Sequence, residues 1–291
     1  MTIRKWTVIW LWFFGSWLLL PAQPRRVISL APNITEMVYR LGLQDRLVGR
    51  TAFCQYPPAV LRLPSVGGYL NPDFEQMVRL QPDLVLLLPN PEMEQKLQRL
   101  GLATLTLPNE TLADILESFR TLGEAFGITD RAQAVIQGIQ DTLQQVEQQS
   151  ADKRTVRALL VVGRTPGTLQ HIYIAGKETY LSELWALCGG RNVFDGIPLR
   201  YFEISREDLI KANPDAILEF RSETLSRVEK VQLQKEWEAL KILTAVQRQQ
   251  VYLLTDRMFL IPGPRIARMA VQLQRIAETI RESFRDTPAK H

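Results

Sequence analysis

Several aromatic, arginine and amide residues lie in segments that follow predicted β-strands, and their side chains are suited to binding a ligand. Facing aromatic rings cover both faces of a large planar or apolar ligand, and the arginine fork matches carboxylates and phosphates. Each of these residues alone is more often packed or solvated surface, so the prediction depends on the whole set. The predicted ligand-binding residues are Asn33, Phe53, Tyr56, Tyr69, Arg164, His171, Tyr173, Tyr201, Phe202, Arg221, Arg257 and Phe259.

Histidine usage argues against an enzyme. The only histidines are His171 and His291, and His291 is the last residue of a polar tail, so we expect neither a histidine-based catalytic triad nor a two-histidine metal site. Residues 163–168 follow a strand but lack the Lys-Ser/Thr ending of a phosphate-binding loop. We therefore predict no catalytic residues, no resident cofactor and no free-metal site, and an unrecognised carboxylate pair in the cleft is the enzymatic alternative.

The elements that position these residues follow from an alternation of short β-branched runs and helical patterns. Such alternation is typical of βα units and a mostly parallel sheet. A long amphipathic pattern at residues 129–149 separates two such series, and a helix of that length spans roughly 30 Å. The predicted strands are residues 27–30, 84–88, 103–107, 156–162, 216–220 and 251–254, and the predicted helices are 35–41, 92–100 and 264–284.

An internal repeat indicates two lobes. Residues 75–86 and 207–218 align without a gap: in both copies a glutamate opens a short helix, and a Pro-Asp turn leads into an apolar strand. The predicted fold is α/β, with two lobes of mostly parallel sheet joined by one long interlobe α-helix. The predicted segments are a signal peptide or N-terminal anchor (1–23), an N-terminal lobe (24–128), a connecting helix (129–150) and a C-terminal lobe (151–291).

The N-terminus has the layout of a secretory leader. Arg4 and Lys5 precede an uncharged apolar run at residues 6–20, which is shorter than the roughly 20 residues of a membrane-spanning helix. We predict export to the periplasm or another extracytoplasmic compartment. An uncleaved anchor is the alternative, because the cleavage pattern of small residues is poor. Cys54 and Cys188 could pair there, but the sequence does not place them within bridging distance.

Several motifs resemble the periplasmic binding proteins for cobalamin and ferric siderophores, and within them the corrinoid receptors. The resemblance covers residues 25–285 and implies a ligand held between two α/β lobes that dock onto the permease of an ABC importer. It also implies one docking glutamate per lobe, Glu75 and Glu207, and a protein that hydrolyses nothing. We further predict a monomer. The motifs lie at residues 26–36, 56–58, 66–68, 81–86, 175–177, 187–190, 192–194, 205–207, 213–215 and 262–265.

The chain departs from the corrinoid receptors in its cleft, where their tryptophans are replaced by Phe53, Tyr69 and Tyr201 or lost. A cobalamin-like corrinoid is the predicted ligand. A ferric siderophore or haem is the alternative, because Arg164, Arg221 and Arg257 could meet its negative charges. A membrane-tethered sensor with the same fold is a third hypothesis. Nucleic acid is not a predicted partner, since the 35 basic residues are interspersed with 31 acidic ones.

Overall fold

A computed structural model describes residues 23–223 and 225–285 of the chain, which form two α/β lobes. The first 22 residues of the predicted leader, and His291, lie outside the described residues. The N-terminal lobe contains a parallel four-stranded sheet in the order β2-β1-β3-β4. Its strands are β1 (Val27–Ser29), β2 (Leu47–Arg50), β3 (Leu84–Leu87) and β4 (Thr104–Thr106).

Side-chain caps define where most helices of this lobe begin. Asp73 accepts a hydrogen bond from the Gln76 amide at 2.8 Å, and Thr111 forms a reciprocal capping box with Asp114. The first helix differs, because Ala31 at its start has no side chain that can accept, and Pro32 begins the helix earlier than predicted. The helices are α1 (Pro32–Arg40), α2 (Phe74–Arg79), α3 (Pro91–Arg99) and α4 (Leu112–Ala125).

The long helix α5 (Thr129–Ser150) leads to the C-terminal lobe and packs against both lobes. Its buried stripe runs from Ala132 through Ile139 to Val146, the three-to-four-residue spacing that the sequence pattern indicated. One continuous cluster of buried apolar residues extends from Val27 of β1 through this stripe to Phe284. The lobes are therefore joined by a shared core at the base, and the predicted α/β fold with two lobes and a long connecting helix is confirmed.

The C-terminal sheet is mixed. Strands β7 and β9 pair parallel with β5, and β10 pairs parallel with β9. Strand β6 pairs antiparallel with β5, and β8 pairs antiparallel with β6. The order is β10-β9-β5-β6-β8, and β7 pairs with β5. Its strands are β5 (Val156–Gly163), β6 (Ile172–Ala175), β7 (Gly190–Asn192), β8 (Tyr201–Ile204), β9 (Ala216–Phe220) and β10 (Val251–Leu254). Its helices are α6 (Tyr180–Leu187), α7 (Arg206–Ala212), α8 (Arg227–Glu236), α9 (Thr244–Gln247) and α10 (Ile266–Arg285).

The repeat found in the sequence has the same local structure in both lobes. Asp83 accepts a hydrogen bond from the Arg26 amide at 3.0 Å, and Asp215 accepts one from the Arg157 amide at 3.1 Å. In both copies the side chain of the same arginine donates to backbone carbonyls at the end of the short helix that precedes the Pro-Asp turn. The Pro-Asp turn thus fixes the position of each short helix, α2 or α7, relative to its sheet.

Both cysteines are buried and free. The Cys54 thiol lies 3.1 Å from the Thr35 hydroxyl in the N-terminal lobe, while burial raises the pKa of Cys188 in the C-terminal lobe to about 12. Among residues 23–223 and 225–285, no helix is both long enough and apolar enough to cross a membrane.

Candidate ligand-binding cleft

The loops after the N-terminal strands face the C-terminal segment that follows β10, and two cavities lie between them. Their volumes are about 360 and 340 Å³, and they share Pro32, Phe53, Arg257 and Ile261 as lining residues. Because Pro32 and Phe53 belong to one lobe and Arg257 and Ile261 to the other, the cavities form one interlobe cleft. Ligands of open α/β sheets bind at this carboxyl edge.

Aromatic side chains dominate the N-terminal wall of the cleft. Phe53 is 57 % exposed and Tyr56 is 50 % exposed, and exposed aromatic side chains that line one cavity together are typical of an interaction site. Phe53 lines both cavities, whereas Tyr56 lines one and Tyr69 the other. The structure therefore brings three of the predicted aromatic residues together.

Hydrogen-bond donors lie beside these rings. Arg257 donates through Nη1 to the side-chain oxygen of Gln55, but no described residue accepts from its buried Nε atom. The amide Nδ2 of Asn33 is likewise buried, with no acceptor among the described residues. Asn33 follows Pro32 in the first turn of α1, and the backbone of Gly263 passes directly over it. Asn33 lines neither cavity, so of these two residues only Arg257 borders the cleft.

An ion pair between the lobes also lines the cleft. Arg265 donates to both oxygens of Glu36, from Nε at 2.7 Å and from Nη2 at 2.6 Å, and the guanidinium lies 4.6 Å from the Tyr56 ring centroid. Burial raises the pKa of Glu36, while the hydrogen bond from Arg265 opposes that rise. Neither residue was among the predicted ligand-binding residues, although each ends one of the motifs that carry the family resemblance.

Arg164 and Arg221, by contrast, pair inside the C-terminal lobe. Arg164 donates to Glu219 at 3.0 Å, Arg221 donates to the same carboxylate at 2.7 Å, and Trp237 donates to its second oxygen at 2.8 Å. The Arg164 side chain is fully buried and also binds Glu236. Neither arginine lines the cleft cavities, because Glu219, an isolated acid within an apolar strand, holds both guanidinium groups in the interior.

Phe259 is a core residue, and Phe202 is a partly buried residue that packs against the core of the C-terminal lobe. Phe259 is 1 % exposed and packs against Phe220 with ring centroids 5.5 Å apart, and Phe202 meets Phe194 edge to face at 6.1 Å. Neither ring lines the cleft cavities, so the structure differs from the prediction at both positions. Apolar residues that follow strands can turn either toward the cleft or toward the core, and the sequence pattern does not distinguish these directions.

The remaining predicted residues lie along β6 and β8, outside the two cavities. The His171 ring nitrogen Nδ1 is 3.0 Å from the Glu203 carboxylate, and Tyr173 is the register partner of Glu203. Burial raises the pKa of Tyr201, and the carboxylate of Glu110 from the other lobe raises it further. Within the described residues no three His, Cys, Asp or Glu side chains gather as a metal site.

The two repeated glutamates are exposed in the first turns of α2 and α7. The Glu75 side chain is 84 % exposed and pairs with Arg79 at 2.7 Å, one helical turn away. Glu207 is exposed beside the capping box formed by Ser205 and Asp208. Because each helix runs back to the start of the next strand, both first turns lie toward the carboxyl edges of the sheets, on the side of the cleft.

Comparison with known proteins accounts for this architecture. The sequence profile of the periplasmic binding protein family matches residues 27–258. The vitamin B12-binding protein of Vibrio cholerae is 30 % identical over 268 residues, which cover 91 % of this chain and 93 % of that protein. The crystal structure of the periplasmic vitamin B12-binding protein from that species superimposes with a TM-score of 0.76 at 26 % identity, covering 89 % of this chain and 99 % of that one.

Two further relatives extend the comparison. An uncharacterised ABC transporter substrate-binding lipoprotein of Bacillus subtilis is 26 % identical, with coverage of 84 % of this chain and 77 % of that protein. A periplasmic haem-binding protein of Pseudomonas aeruginosa superimposes with a TM-score of 0.73 at 25 % identity, covering 86 % of this chain and 91 % of that one. This chain therefore belongs to the periplasmic binding protein family, whose members are substrate-binding components of ABC importers rather than enzymes.

Proposed function

We propose that this protein binds a corrinoid of the cobalamin type between its lobes, outside the cytoplasm, and delivers it to the permease of an ABC importer. The observation that carries the proposal is the cleft itself, where Phe53, Tyr56 and Tyr69 line joined cavities that are walled on the other side by Arg257. A corrin macrocycle has broad apolar faces and a periphery of amide groups. Aromatic rings suit those faces, and donors suit the amide carbonyls.

The likeness to the vitamin B12-binding protein of Vibrio cholerae supports the same ligand. That likeness extends over both lobes, so the two walls of the cleft are included in it. The Arg257 guanidinium, which lines both cavities, also fits a ligand that has many acceptor groups. Binding of this kind uses surface complementarity and hydrogen bonds, and the protein itself catalyses no step.

Haem or a ferric siderophore is the second candidate. The likeness to the haem-binding protein of Pseudomonas aeruginosa favours it, and the Arg257 guanidinium suits a propionate or another anionic group. Arg164 and Arg221 do not support an anionic ligand, because within the lobe Arg164 pairs with Glu219 and Glu236, and Arg221 pairs with Glu219. Of the three predicted arginines, Arg257 is therefore the one that could bind an anionic group of haem in the cleft. For this reason we rank the corrinoid first.

Titration with three ligands distinguishes these candidates. We expect purified protein to bind cyanocobalamin more tightly than haemin or a ferric hydroxamate, with a dissociation constant of about 1 µM or below. Visible absorbance or calorimetry follows each ligand directly. Tighter binding of haemin would replace the corrinoid by the second candidate, and no binding of any of the three would overturn the proposed function.

Docking onto the permease is proposed to involve Glu75 and Glu207. Their exposure, their matching positions in the two copies of the repeat and their location on the cleft side support this role. A glutamate in a first helical turn is also favoured locally by the helix dipole, by about 0.3–1 kcal/mol. That local effect explains why each helix has an acidic residue in its first turn. It does not explain why the glutamate occupies the same position of the repeat in both lobes.

The proposed compartment is the periplasm or its equivalent outside the membrane. The basic and apolar segments of the N-terminal leader support export, with an uncleaved anchor as the alternative. We also propose that the protein acts as a monomer, since both walls of the cleft come from one chain.

A further inference from the structure

Two arginines of the C-terminal lobe hold a loop of the N-terminal lobe. The loop at residues 51–57 carries Phe53, Gln55 and Tyr56 into the cleft. Arg257 donates to the side chain of Gln55, and Arg265 lies over the ring of the next residue, Tyr56. Two consecutive loop residues are thus held from the opposite lobe.

The Arg265 guanidinium has little freedom to rotate, because its Nε and Nη2 atoms both donate to the Glu36 carboxylate. Two parallel hydrogen bonds of 2.7 and 2.6 Å form a fork that sets both the position and the plane of the guanidinium group. The Glu36 side chain is only 2 % exposed and belongs to helix α1, which packs in the core of the N-terminal lobe. The chain of contacts therefore runs from a rigid helix through Arg265 to the Tyr56 ring.

The location of this pair distinguishes it from an ordinary structural ion pair. Glu36, Arg265, Tyr56, Gln55 and Arg257 all line the same cavity of the cleft. Half of the Tyr56 surface is exposed although Arg265 lies against the ring, so the ring keeps area for a ligand. A shift of the guanidinium would move a ligand-facing aromatic group as well as remove an ion pair.

We propose that Glu36 and Arg265 are positioning residues for ligand binding, which orient Tyr56 and its loop from across the cleft. This inference rests on the proposed function and adds two residues to it. It also means that this end of the cleft is pre-organised before the ligand arrives, which lowers the entropic cost of binding. Arg257 is the second attachment of the loop, through Gln55.

A double-mutant cycle on the dissociation constant for cyanocobalamin tests the proposal. Glu36→Gln removes the charge but keeps an acceptor, and Arg265→Lys keeps the charge but loses the fork. We expect each to weaken binding about tenfold in the wild-type background, the scale of a partly desolvated cation–π contact. In a Tyr56→Ala background the same substitutions should change the dissociation constant less than about twofold, because they act through Tyr56.

Equal losses in both backgrounds would overturn the positioning role, since the pair would then act independently of Tyr56. Glu203→Gln is the matched control, because it weakens an exposed carboxylate pair, with His171, outside the cavities. It should leave the dissociation constant unchanged.

Hydrogen exchange of the ligand-free protein separates the failure of this inference from the failure of the proposed function. Amides of residues 51–56 should exchange faster in Glu36→Gln and Arg265→Lys than in wild type, and at the wild-type rate in Glu203→Gln. Unchanged exchange in both cleft variants would contradict the positioning role even if cyanocobalamin binds. If wild type binds none of the tested ligands, the proposed function fails, while faster exchange in both variants would still support the loop attachment.

Discussion

At the level of single residues, the direction of each arginine decides its role. Arg257 lines both cavities of the cleft, whereas Arg164 turns inward and is fully buried against Glu219 and Glu236. All the predicted arginines follow strands, so the sequence pattern does not separate them. Glu219 is the signal that could have done so, because a lone acid in the apolar strand 216–220 requires a buried cationic partner.

Removing Glu219 should destabilise the protein strongly. Glu219→Leu leaves two guanidinium groups and the Trp237 indole without their shared acceptor. Loss of one partner from a buried ion pair costs about 3–5 kcal/mol of unfolding free energy, and we expect a value in that range from denaturant titration.

The comparison for this substitution is Glu203→Leu, which removes an exposed partner of His171. An exposed pair contributes less than about 1 kcal/mol, so the unfolding free energy should hardly change. A similar small effect of Glu219→Leu would contradict the interpretation of Arg164 and Arg221 as interior ion-pair residues.

At the level of elements, the strength of the periodic pattern determined what could be predicted. Helix α5 was predicted closely, because its apolar stripe repeats every three or four residues from Ala132 to Val146 without a break. Strands β2, β6, β7 and β8 were not predicted. Strands β6 and β8 pair antiparallel, so they lack the βα context that identified the predicted strands. Helix α1 begins earlier than expected because Pro32, rather than a polar cap, opens it.

The capping box of α7 is an element whose contribution can be measured. Ser205 accepts from the Asp208 amide at 3.1 Å, and Asp208 accepts from the Ser205 amide at 3.2 Å. The Ser205 hydroxyl also donates to the Asp208 carboxylate at 2.7 Å, and this bond together with the one from the Ser205 amide lowers the pKa of Asp208. Ser205→Ala should reduce the unfolding free energy by about 1 kcal/mol, as measured by thermal or denaturant unfolding.

Thr279→Ala provides the control for this cap, because Thr279 is exposed in the middle of α10 and bonds only within its own helix. Alanine is at least as favourable as threonine there, so stability should stay the same or rise slightly. Equal effects of the two substitutions would mean that the α7 cap does not stabilise the protein.

At the level of the whole molecule, the two lobes share a core at their base and face each other across the cleft. The sequence predicted the two lobes from the repeat, and it identified Phe53, Tyr56, Tyr69 and Arg257, which the structure brings together. It did not predict the Glu36–Arg265 pair, because the two residues are 229 positions apart and meet only after both lobes have formed.

The paired glutamates give a prediction for the assembled importer. Glu75→Arg combined with Glu207→Arg should abolish uptake in vesicles that contain the permease, because the charge of both docking contacts is reversed. Affinity for cyanocobalamin should stay at the wild-type value, since neither residue lines the cleft. Uptake of labelled cyanocobalamin measures the effect.

The control carries the same change in charge elsewhere on the surface. Glu124 and Glu238 are exposed, and neither belongs to the repeat, so Glu124→Arg with Glu238→Arg should transport normally. Normal uptake by the Glu75 and Glu207 variant would remove these residues from the docking surface.

The central claim is that the cleft between the lobes binds the corrinoid, and calorimetric titration of cleft variants with cyanocobalamin tests it most directly. Wild type should bind one cyanocobalamin per chain. Phe53→Ala with Tyr69→Ala should weaken binding about a hundredfold, at roughly tenfold for each ring. Val228→Ala, at an exposed apolar position outside both cavities, should bind as wild type does. Wild-type affinity in the Phe53 and Tyr69 variant would contradict the account.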